Sequence, residues 1–362
     1  NPITSIKDQN RSGTCWAYST LSYFESEILK HTGKTYDLSE MFVANKTYMD
    51  RATMAVRMHG DVSFSQGGSA YDVLYALQHY GIVPEGAMPA PGTLTGDSLA
   101  NFGEFFDVMT PYVEAVAKSN AKKISSAWKS GLQGIIDSYI GKTPEKFTYQ
   151  GKQYTPQSFC QSLGLNLDDY VTITSYTHHP MWSKFAVEVQ DNWRWPLSYN
   201  VPMDDLCKII DNAINNGYTV AWGGDVTEDG FTRKGLGIAY DVKKVRSMAG
   251  TDADHWFKLS KDEKKEKFDS LGVNAPEVVP TQAMRQEAFD NWETTDDHGM
   301  HIYGIAKDQN GKEYYMVKNS WGEYGDYKGT WYMTKAFVAY KTMDFMVNKN
   351  AIPKDIRKKL GI

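Results

Sequence analysis

The apolar residues between positions 15 and 30 recur at the spacing of one helix face. This pattern predicts an amphipathic helix that begins at Cys15, with Ser12 and Thr14 just before it as candidate capping residues. The apolar stripe consists of Ala17, Leu21, Phe24 and Ile28.

Two more segments combine helical spacing with a glycine stop. SQGGSAYDVLYALQHYG (65–81) predicts a helix that ends near Gly81. PMDDLCKIIDNAINNGYTVAWGGDV (202–226) predicts a helix, a stop at Gly217 and a following strand, and YVTITSY (170–176) predicts another strand. The helix before Gly81 carries Val73, Leu74, Leu77 and Tyr80 as its apolar residues.

The C-terminal third is rich in strand patterns. HGMHIYGIAKDQNGKEYYMVKNSWG contains Asn310-Gly311, a strong hairpin signal, and GTWYMT follows it. Helices followed by strands predict an α+β fold, with a helical lobe before an antiparallel β lobe and large, mainly helical insertions. The expected units are a helical lobe at 1–90, an inserted helical block at 91–168, the start of the β lobe at 169–226, a second insertion at 227–285, the main β lobe at 286–345 and a C-terminal arm at 346–362.

The composition excludes several classes of protein. The 362 residues carry a formal charge of −5 and are 41% hydrophobic, which allows a sizeable core and gives no basic stripe for a nucleic-acid partner. No apolar run approaches the 18 or so residues of a membrane span. Three cysteines are too few for a disulfide framework.

Cys15 is a scarce thiol at the first turn of the predicted helix, off its apolar stripe. A helix N-terminus favours a thiolate by about 0.3–1 kcal/mol, whereas lowering a thiol pKa from about 8.5 to about 4 needs about 6 kcal/mol. A cation about 4 Å away supplies about 4 kcal/mol at an effective dielectric constant of about 20. A nucleophilic Cys15 therefore requires a histidine, whereas Cys160 and Cys207 fit the simpler interpretation of buried thiols.

Strand parity selects the histidine. If the hairpin closes around DQNG or NG, the numbers of paired residues sum to 619 or 621, so that Asn319 shares a face with His298 and His301 points to the other face. Asn319 can then orient the His298 ring, and Trp321 on the same face can shield their hydrogen bond from water. Asp297 is the alternative orienting group.

Gln9 lies six residues before Cys15, in the loop that leads into the helix. Its side-chain amide and the backbone N–H of Cys15 are candidate donors to a developing oxyanion. A cysteine, a histidine and an asparagine with such donors make a complete acyl-transfer site. The HGMH and THHP segments are interpreted as strand and loop residues, and no metal site is expected.

These motifs resemble the papain-like cysteine peptidases. The family's nucleophile signature, C-G-[SA]-C-[WY], reads SGTCW here, with Ser12 in place of the first cysteine. DHGM is similar to the family's histidine strand, KNSWG to its asparagine motif and QGGSAYD to its substrate-binding glycine pair, and the resemblance covers residues 7–84 and about 170–345. It implies catalytic roles for Cys15, His298, Asn319 and Gln9 and substrate contacts for Gly67, Gly68 and Trp321.

The spacing of the motifs narrows the resemblance. His298 lies 283 residues after Cys15, against about 130–150 in papain-like enzymes, so about 140 residues are inserted. With the HYGIVPE segment, this makes the chain similar to the bleomycin hydrolase and aminopeptidase C branch. The resemblance implies a papain-like two-lobe fold, peptide substrates, no cofactor and a homohexamer. It also implies an aminopeptidase whose C-terminal carboxylate at Ile362 receives the substrate amine, in the cytoplasm unless a leader has been removed.

Other functions stay open from the sequence. The tail NKNAIPKDIRKKLGI is short for an arm that reaches a cleft, so an endopeptidase or a dipeptidyl peptidase of the same fold is an alternative. A Cys-His acyltransferase would use the same nucleophile with an amine acceptor. A catalytically dead peptide-binding protein would require loss of Cys15, His298 or Asn319, and all three are present. A P-loop in GIIDSYIGKT is excluded because Ile136 stands where glycine is needed.

Overall fold

The computed structural model describes residues 1–91, 99–248 and 260–362, and its architecture is α+β as expected. The helices are α1 (Cys15–Thr32), α2 (Glu40–Arg57), α3 (Ala70–His79), α4 (Gly103–Ala117), α5 (Ala127–Ile140), α6 (Pro156–Ser162), α7 (Met203–Asn215), α8 (Val242–Met248), α9 (Lys261–Leu271), α10 (Gln282–Asp290), α11 (Lys335–Lys341) and α12 (Lys354–Leu360). The strands are β1 (Phe147–Tyr149), β2 (Lys152–Tyr154), β3 (Tyr170–Thr174), β4 (Lys184–Phe185), β5 (Ser198–Asn200), β6 (Val220–Gly224), β7 (Phe231–Thr232), β8 (Leu236–Gly237), β9 (His298–Lys307), β10 (Glu313–Lys318), β11 (Thr330–Thr334) and β12 (Thr342–Asn348).

The helices predicted from apolar spacing are present as α1, α3 and α7. All four stripe residues of α1 are fully buried, and the helix ends at Gly33, which adopts the left-handed conformation with φ of 70°. Helix α3 ends at His79 and α7 ends at Asn215, each shortly before a predicted glycine stop. These stops work because both glycines have positive φ, which side-chain-bearing residues rarely adopt.

One large mixed sheet carries the β lobe. Its strand order is β4-β5-β3-β12-β6-β9-β10-β11-β8-β7, and β1 and β2 form a separate hairpin. The pairs β3–β5 and β8–β11 are parallel, and the other neighbours in the large sheet are antiparallel. Strand β9 is held between β6 and β10, so its first residue has little freedom to move.

The β9–β10 hairpin differs from the expected register near its turn. The loop spans residues 308–312, one residue longer than the DQNG closure and three longer than the NG closure, and Tyr315 pairs with Ile305. A β-bulge between Met316 and Val317 then shifts the register, so that Lys318 pairs with His301, a pair whose numbers sum to the predicted 619. The bulge therefore restores the parity on which the choice of His298 depended.

Most buried apolar residues belong to two large hydrophobic cores. One lies among α1–α6, and the other lies between the sheet and helices α7, α11 and α12. Helix α1 belongs to the first core and also packs against β9 and β6. In the inserted block at 91–168, the described apolar residues Phe105, Ile136 and Phe159 are buried in the first core, so this block enlarges the helical lobe.

The C-terminal segment does not form the separate arm expected at residues 346–362. Strand β12 extends to Asn348 in the interior of the sheet, and α12 buries Ile356 and Leu360 against the second core. Ile362 packs at the edge of the same core. The reason is the apolar spacing of this segment, which provides a face that is stabilised by burial.

Among the described residues, no helix combines the length and the apolarity needed to span a membrane.

Candidate active site

Cys15 is the first residue of α1, at the end of a tightly held loop. The backbone N–H of Gly13 donates to Oε1 of Gln66 at 2.7 Å, and the indole N–H of Trp16 donates to the Gln66 carbonyl at 3.0 Å. A Cβ on Gly13 would lie 2.7 Å from the Gln66 Cβ, so this close approach requires glycine. Thr14 occupies the N-cap position, but its side chain makes no capping hydrogen bond.

His298 and Asn319 are joined as the strand parity predicted. His298 Nε2 and Asn319 Oδ1 lie 2.8 Å apart, and the same oxygen accepts a 2.8 Å hydrogen bond from the backbone N–H of Ser320. The second bond fixes the amide so that its oxygen faces the ring. The Trp321 ring lies 4.9 Å from the imidazole, centre to centre, and shields the pair from solvent on one side.

The two alternative groups, His301 and Asp297, have other partners. His301 lies on the opposite face of β9, where its Nδ1 is 2.9 Å from the hydroxyl of Ser22 on α1. The Asp297 carboxylate accepts from the backbone N–H of Val226 at 2.9 Å. Asn319 is therefore the group that the structure brings to His298.

Cys15 and His298 line the same cavity, whose volume is about 180 Å³. The cavity lies where the start of β9 packs against the start of α1. A Cβ on Gly299 would be 3.4 Å from the Cys15 carbonyl oxygen and 2.8 Å from Oγ of Ser19, so glycine is needed for this contact. The close approach of the two backbones places the imidazole and the thiol at one opening.

Burial acts on both ionisable groups. It is the main cause that raises the pKa of the Cys15 thiol to about 12, and nearby Asp296 and Asp191 raise it further. Burial also lowers the pKa of His298 to about 4, against the opposing effect of the hydrogen bond to Asn319. Between these two values both groups are neutral and the proton lies on Cys15, so the lowered thiol pKa considered from the sequence is not found in the resting site. A thiolate forms when that proton moves to His298.

Gln9 is buried and held at both ends of its amide. Its Nε2 donates to the Ser12 carbonyl at 2.7 Å, and its Oε1 accepts from the Ser320 hydroxyl at 2.6 Å. The second contact ties Gln9 to the residue that follows Asn319. One hydrogen of the Gln9 amide is used by Ser12, and its NH₂ carries another.

The glycine pair, Gly67 and Gly68, also lines the cavity. A Cβ on Gly68 would be 2.8 Å from the Trp16 ring, and a Cβ on Gly67 would overlap the Asp191 carboxylate. The Gly67 carbonyl accepts a 2.7 Å hydrogen bond from buried Arg51. Both positions therefore require glycine, and they leave a wall that an extended peptide backbone can approach.

Ile362 is not brought to this cavity, because it packs on the second core. The sequence analysis missed three acidic residues that do line the cavity: Asp191, Asp296 and Asp344. One signal for them was available, since Asp344 interrupts the apolar run of β12.

Among the described residues, the other cysteines and histidines lie outside this cavity. Cys160 is buried, with its sulfur 3.6 Å from the Leu77 carbonyl oxygen, and Cys207 is partly buried on α7. In the THHP segment, Nε2 of His178 and Nε2 of His179 lie 2.9 Å and 3.0 Å from the two oxygens of Glu188. The two rings thus share one carboxylate at the surface.

Comparison with known proteins gives matches over nearly the whole chain. The family model described as papain family cysteine protease matches residues 1–182, and the model described as Peptidase C1-like family matches residues 267–361. Aminopeptidase G of Lactobacillus delbrueckii subsp. lactis is 23% identical over 99% of this chain and 84% of its own length. Aminopeptidase C of Lactobacillus helveticus is 24% identical with the same coverage.

A solved structure shows the same fold. The crystal structure of PepW from Lactobacillus rhamnosis superposes with a TM-score of 0.72 at 19% identity, over 99% of this chain and 83% of that chain.

Proposed function

Because this chain belongs to the papain family of cysteine proteases, we propose that it is an aminopeptidase that hydrolyses peptide bonds through Cys15, His298 and Asn319. The observation that carries the proposal is the pairing of His298 with Asn319 in the cavity that Cys15 lines. The preference for a free N-terminus rests on the relatives, which are named aminopeptidases.

The first half of the reaction forms an acyl-enzyme. Cys15 Sγ attacks the carbonyl carbon of the scissile bond, and the thiol proton resides on His298, which becomes an imidazolium. The carbonyl oxygen gains negative charge and accepts hydrogen bonds from the backbone N–H of Cys15 and the free hydrogen of the Gln9 amide. When the intermediate collapses, the C–N bond breaks and His298 gives its proton to the leaving amine.

The second half releases the acyl group. His298, now neutral, takes a proton from a water molecule that attacks the thioester carbonyl. The C–S bond breaks, the released acid leaves, and the proton returns to the Cys15–His298 pair. Throughout both halves Asn319 keeps the ring in one orientation, and Trp321 excludes water from their hydrogen bond. Gly67 and Gly68 provide the wall against which the substrate backbone lies.

One observation favours an endopeptidase or a dipeptidyl peptidase as the second candidate. Ile362 packs on the β-lobe core and does not line the cavity of Cys15 and His298. If no other group selects the free amine, the cleft accepts peptides on both sides of the scissile bond.

Paired fluorogenic substrates test the proposal. Leucyl-aminomethylcoumarin has a free amine, and in its N-acetyl form that amine is replaced by an uncharged amide that carries an added acetyl group. We expect faster cleavage of the free amine, with both activities abolished by iodoacetamide. Faster cleavage of the acetylated substrate would favour the endopeptidase, and turnover that resists alkylation would contradict a cysteine mechanism. Transfer of the acyl group to an added amine in place of water would indicate the acyltransferase.

A further inference from the structure

The cavity beside Cys15 is lined by four acidic residues, Asp191, Asp296, Asp297 and Asp344. Buried Arg51 forms an ion pair with Asp191 at 3.0 Å. The charges interact, because Asp191 and Asp344 both act on the Asp296 carboxyl and disfavour its ionisation. Asp296 also acts on the Cys15 thiol, so these carboxylates lie within electrostatic range of the proposed nucleophile.

Two of these carboxylates differ from the rest in lacking a partner. Asp191 is bonded to Arg51, and Asp297 accepts from the Val226 N–H. Within the described parts of the chain, no hydrogen bond or ion pair is formed by the carboxylates of Asp296 and Asp344. Burial raises the pKa of Asp296 above its usual range and that of Asp344 to about 6. Both side chains are half-buried, and a cation from outside the chain would favour their charged forms.

Strand register places Asp344 opposite the start of β9. Asp344 pairs with Gly223 on β6, and Gly223 pairs with Gly299 on β9, so the three residues form one row across the sheet. Asp344 Oδ1 would be 3.3 Å from a Cβ on Gly223, which shows that the carboxylate lies over the bare glycine. A side chain on residue 223 would occupy that space. Asp296 lines the same cavity and stands two residues before His298 in the sequence.

Covalent geometry limits where the substrate amine can lie. In an N-terminal residue, the amine nitrogen is about 2.5 Å from the carbonyl carbon, from the standard N–Cα and Cα–C bond lengths and angle. That carbon is about 3–3.5 Å from the attacking sulfur in a reactive complex. The ammonium of an aminopeptidase substrate therefore lies within about 6 Å of Cys15 Sγ, inside the cavity that the acidic residues line.

We propose that Asp296 and Asp344 bind the α-ammonium of the substrate and thereby select free N-termini. This inference rests on the proposed aminopeptidase function and assigns to the two carboxylates the role that the sequence had suggested for the carboxylate of Ile362. The shared chemistry is recognition of an ammonium or guanidinium group. A lysine or arginine side chain one residue before the scissile residue offers the same chemistry, and the experiment separates the two sources.

The test compares Asp296→Asn, Asp344→Asn and the double variant in the full chain. Asp107→Asn, at an exposed position of α4, is the matched charge control. For each protein, kcat/KM is measured on leucyl-aminomethylcoumarin, on its N-acetyl form and on N-acetyl-arginyl-leucyl-aminomethylcoumarin. A charge-assisted hydrogen bond corresponds to a preference of about 10- to 150-fold for the free amine. We expect each single variant to reduce that ratio about tenfold, the double variant to abolish it and the control to keep it.

The pH dependence provides a second readout that a purely structural role would not change. In the wild type, kcat/KM for the free-amine substrate falls once the pH exceeds the pKa of the substrate amine, and kcat/KM for the acetylated substrate does not. Asp191, Asp297 and Arg51, which lie near Asp296 and Asp344, are the same for both substrates, so their effects cancel in the ratio. In the double variant this difference between the substrates disappears.

The outcomes separate this inference from the proposed function. Equal wild-type cleavage of free and acetylated substrates would contradict the aminopeptidase function itself. A preference for the free amine that survives in the double variant would agree with the aminopeptidase function but would contradict binding of the amine by Asp296 and Asp344. Selective loss of the arginyl substrate, with an unchanged free-amine ratio, would assign the carboxylates to a basic side chain and also overturn the proposal. Titration of Cys15 with iodoacetamide and a thermal unfolding curve establish that each variant is folded.

Discussion

Substitution of Asn319 by alanine removes one oxygen that accepts two hydrogen bonds, from His298 Nε2 and from the Ser320 N–H. The bond to the ring contributes about 0.5–1.5 kcal/mol while the imidazole is neutral and about 1.5–3 kcal/mol once it is protonated. The difference of about 1–1.5 kcal/mol acts on the transition state and corresponds to about tenfold in rate. Loss of ring orientation contributes up to about 100-fold more. We therefore expect kcat to fall about 10- to 1,000-fold with little change in KM, a smaller loss than for His298→Ala.

The pH dependence of kcat/KM shows in which direction Asn319 shifts the pKa of His298. The hydrogen bond to Asn319 raises the pKa of His298, against the larger lowering caused by burial. Its removal lowers that pKa further, so protonation of the resting pair requires more acid. The acid limb of kcat/KM in Asn319→Ala should therefore move to lower pH, whereas the added negative charge in Asn319→Asp should move it to higher pH.

The assay is kcat and kcat/KM on leucyl-aminomethylcoumarin across the acid limb. Asn310→Ala is the matched control, because Asn310 is an exposed residue at the turn of the same hairpin. A fall in activity without the predicted displacement would indicate a purely structural role for Asn319. An unchanged kcat, or an acid limb that moves to higher pH in Asn319→Ala, would refute the assignment of Asn319 as the positioning residue for His298.

Three further predictions concern the walls of the cavity and the assembly. Gln9→Ala should lower kcat about 10²- to 10³-fold, the usual loss for one oxyanion donor, and an effect on KM alone would contradict that role. Gly68→Ala should raise KM in steady-state assays, because the new Cβ would lie 2.8 Å from the Trp16 ring and displace the glycine wall; unchanged kinetics would contradict a contact with substrate there. The two inserted blocks should carry assembly rather than chemistry, so light scattering at micromolar concentration should show a homohexamer, and a monomer would contradict this expectation.

Local patterns in the sequence were sufficient for α1, which positions Cys15, and for α3 and α7. The α1 stripe has one apolar face, and the glycine stops of α3 and α7 depend only on local backbone conformation. Helix α2 was not identified because it buries Glu40, Asn45 and Arg51 in specific polar contacts, which break the apolar pattern. Its polar residues are satisfied by partners distant in sequence, such as Asp191 for Arg51, and no local pattern reveals those.

The β9–β10 hairpin brings His298 to Asn319 as predicted, although its loop differs from the loop that was assumed. The choice of His298 over His301 assumed a loop of two or four residues, and the loop at 308–312 has five. The bulge at Met316–Val317 corrected the register, and nothing in the local pattern predicts it. Asp296 and Asp344 were missed for a similar reason. They line the same cavity only because β12, β6 and β9 pair in the sheet.

The central claim is that Cys15, paired with His298, is the nucleophile, and stoichiometric alkylation tests it most directly. The folded protein is treated with one equivalent of iodoacetamide, residual activity is followed, and the modified thiol is identified by peptide mapping. We predict that activity falls in proportion to labelling of Cys15 and that Cys160 and Cys207 remain unmodified. The variant His298→Ala should slow the labelling, whereas His301→Ala should not. Prior labelling of Cys160 or Cys207, or full activity in a protein alkylated at Cys15, would contradict it.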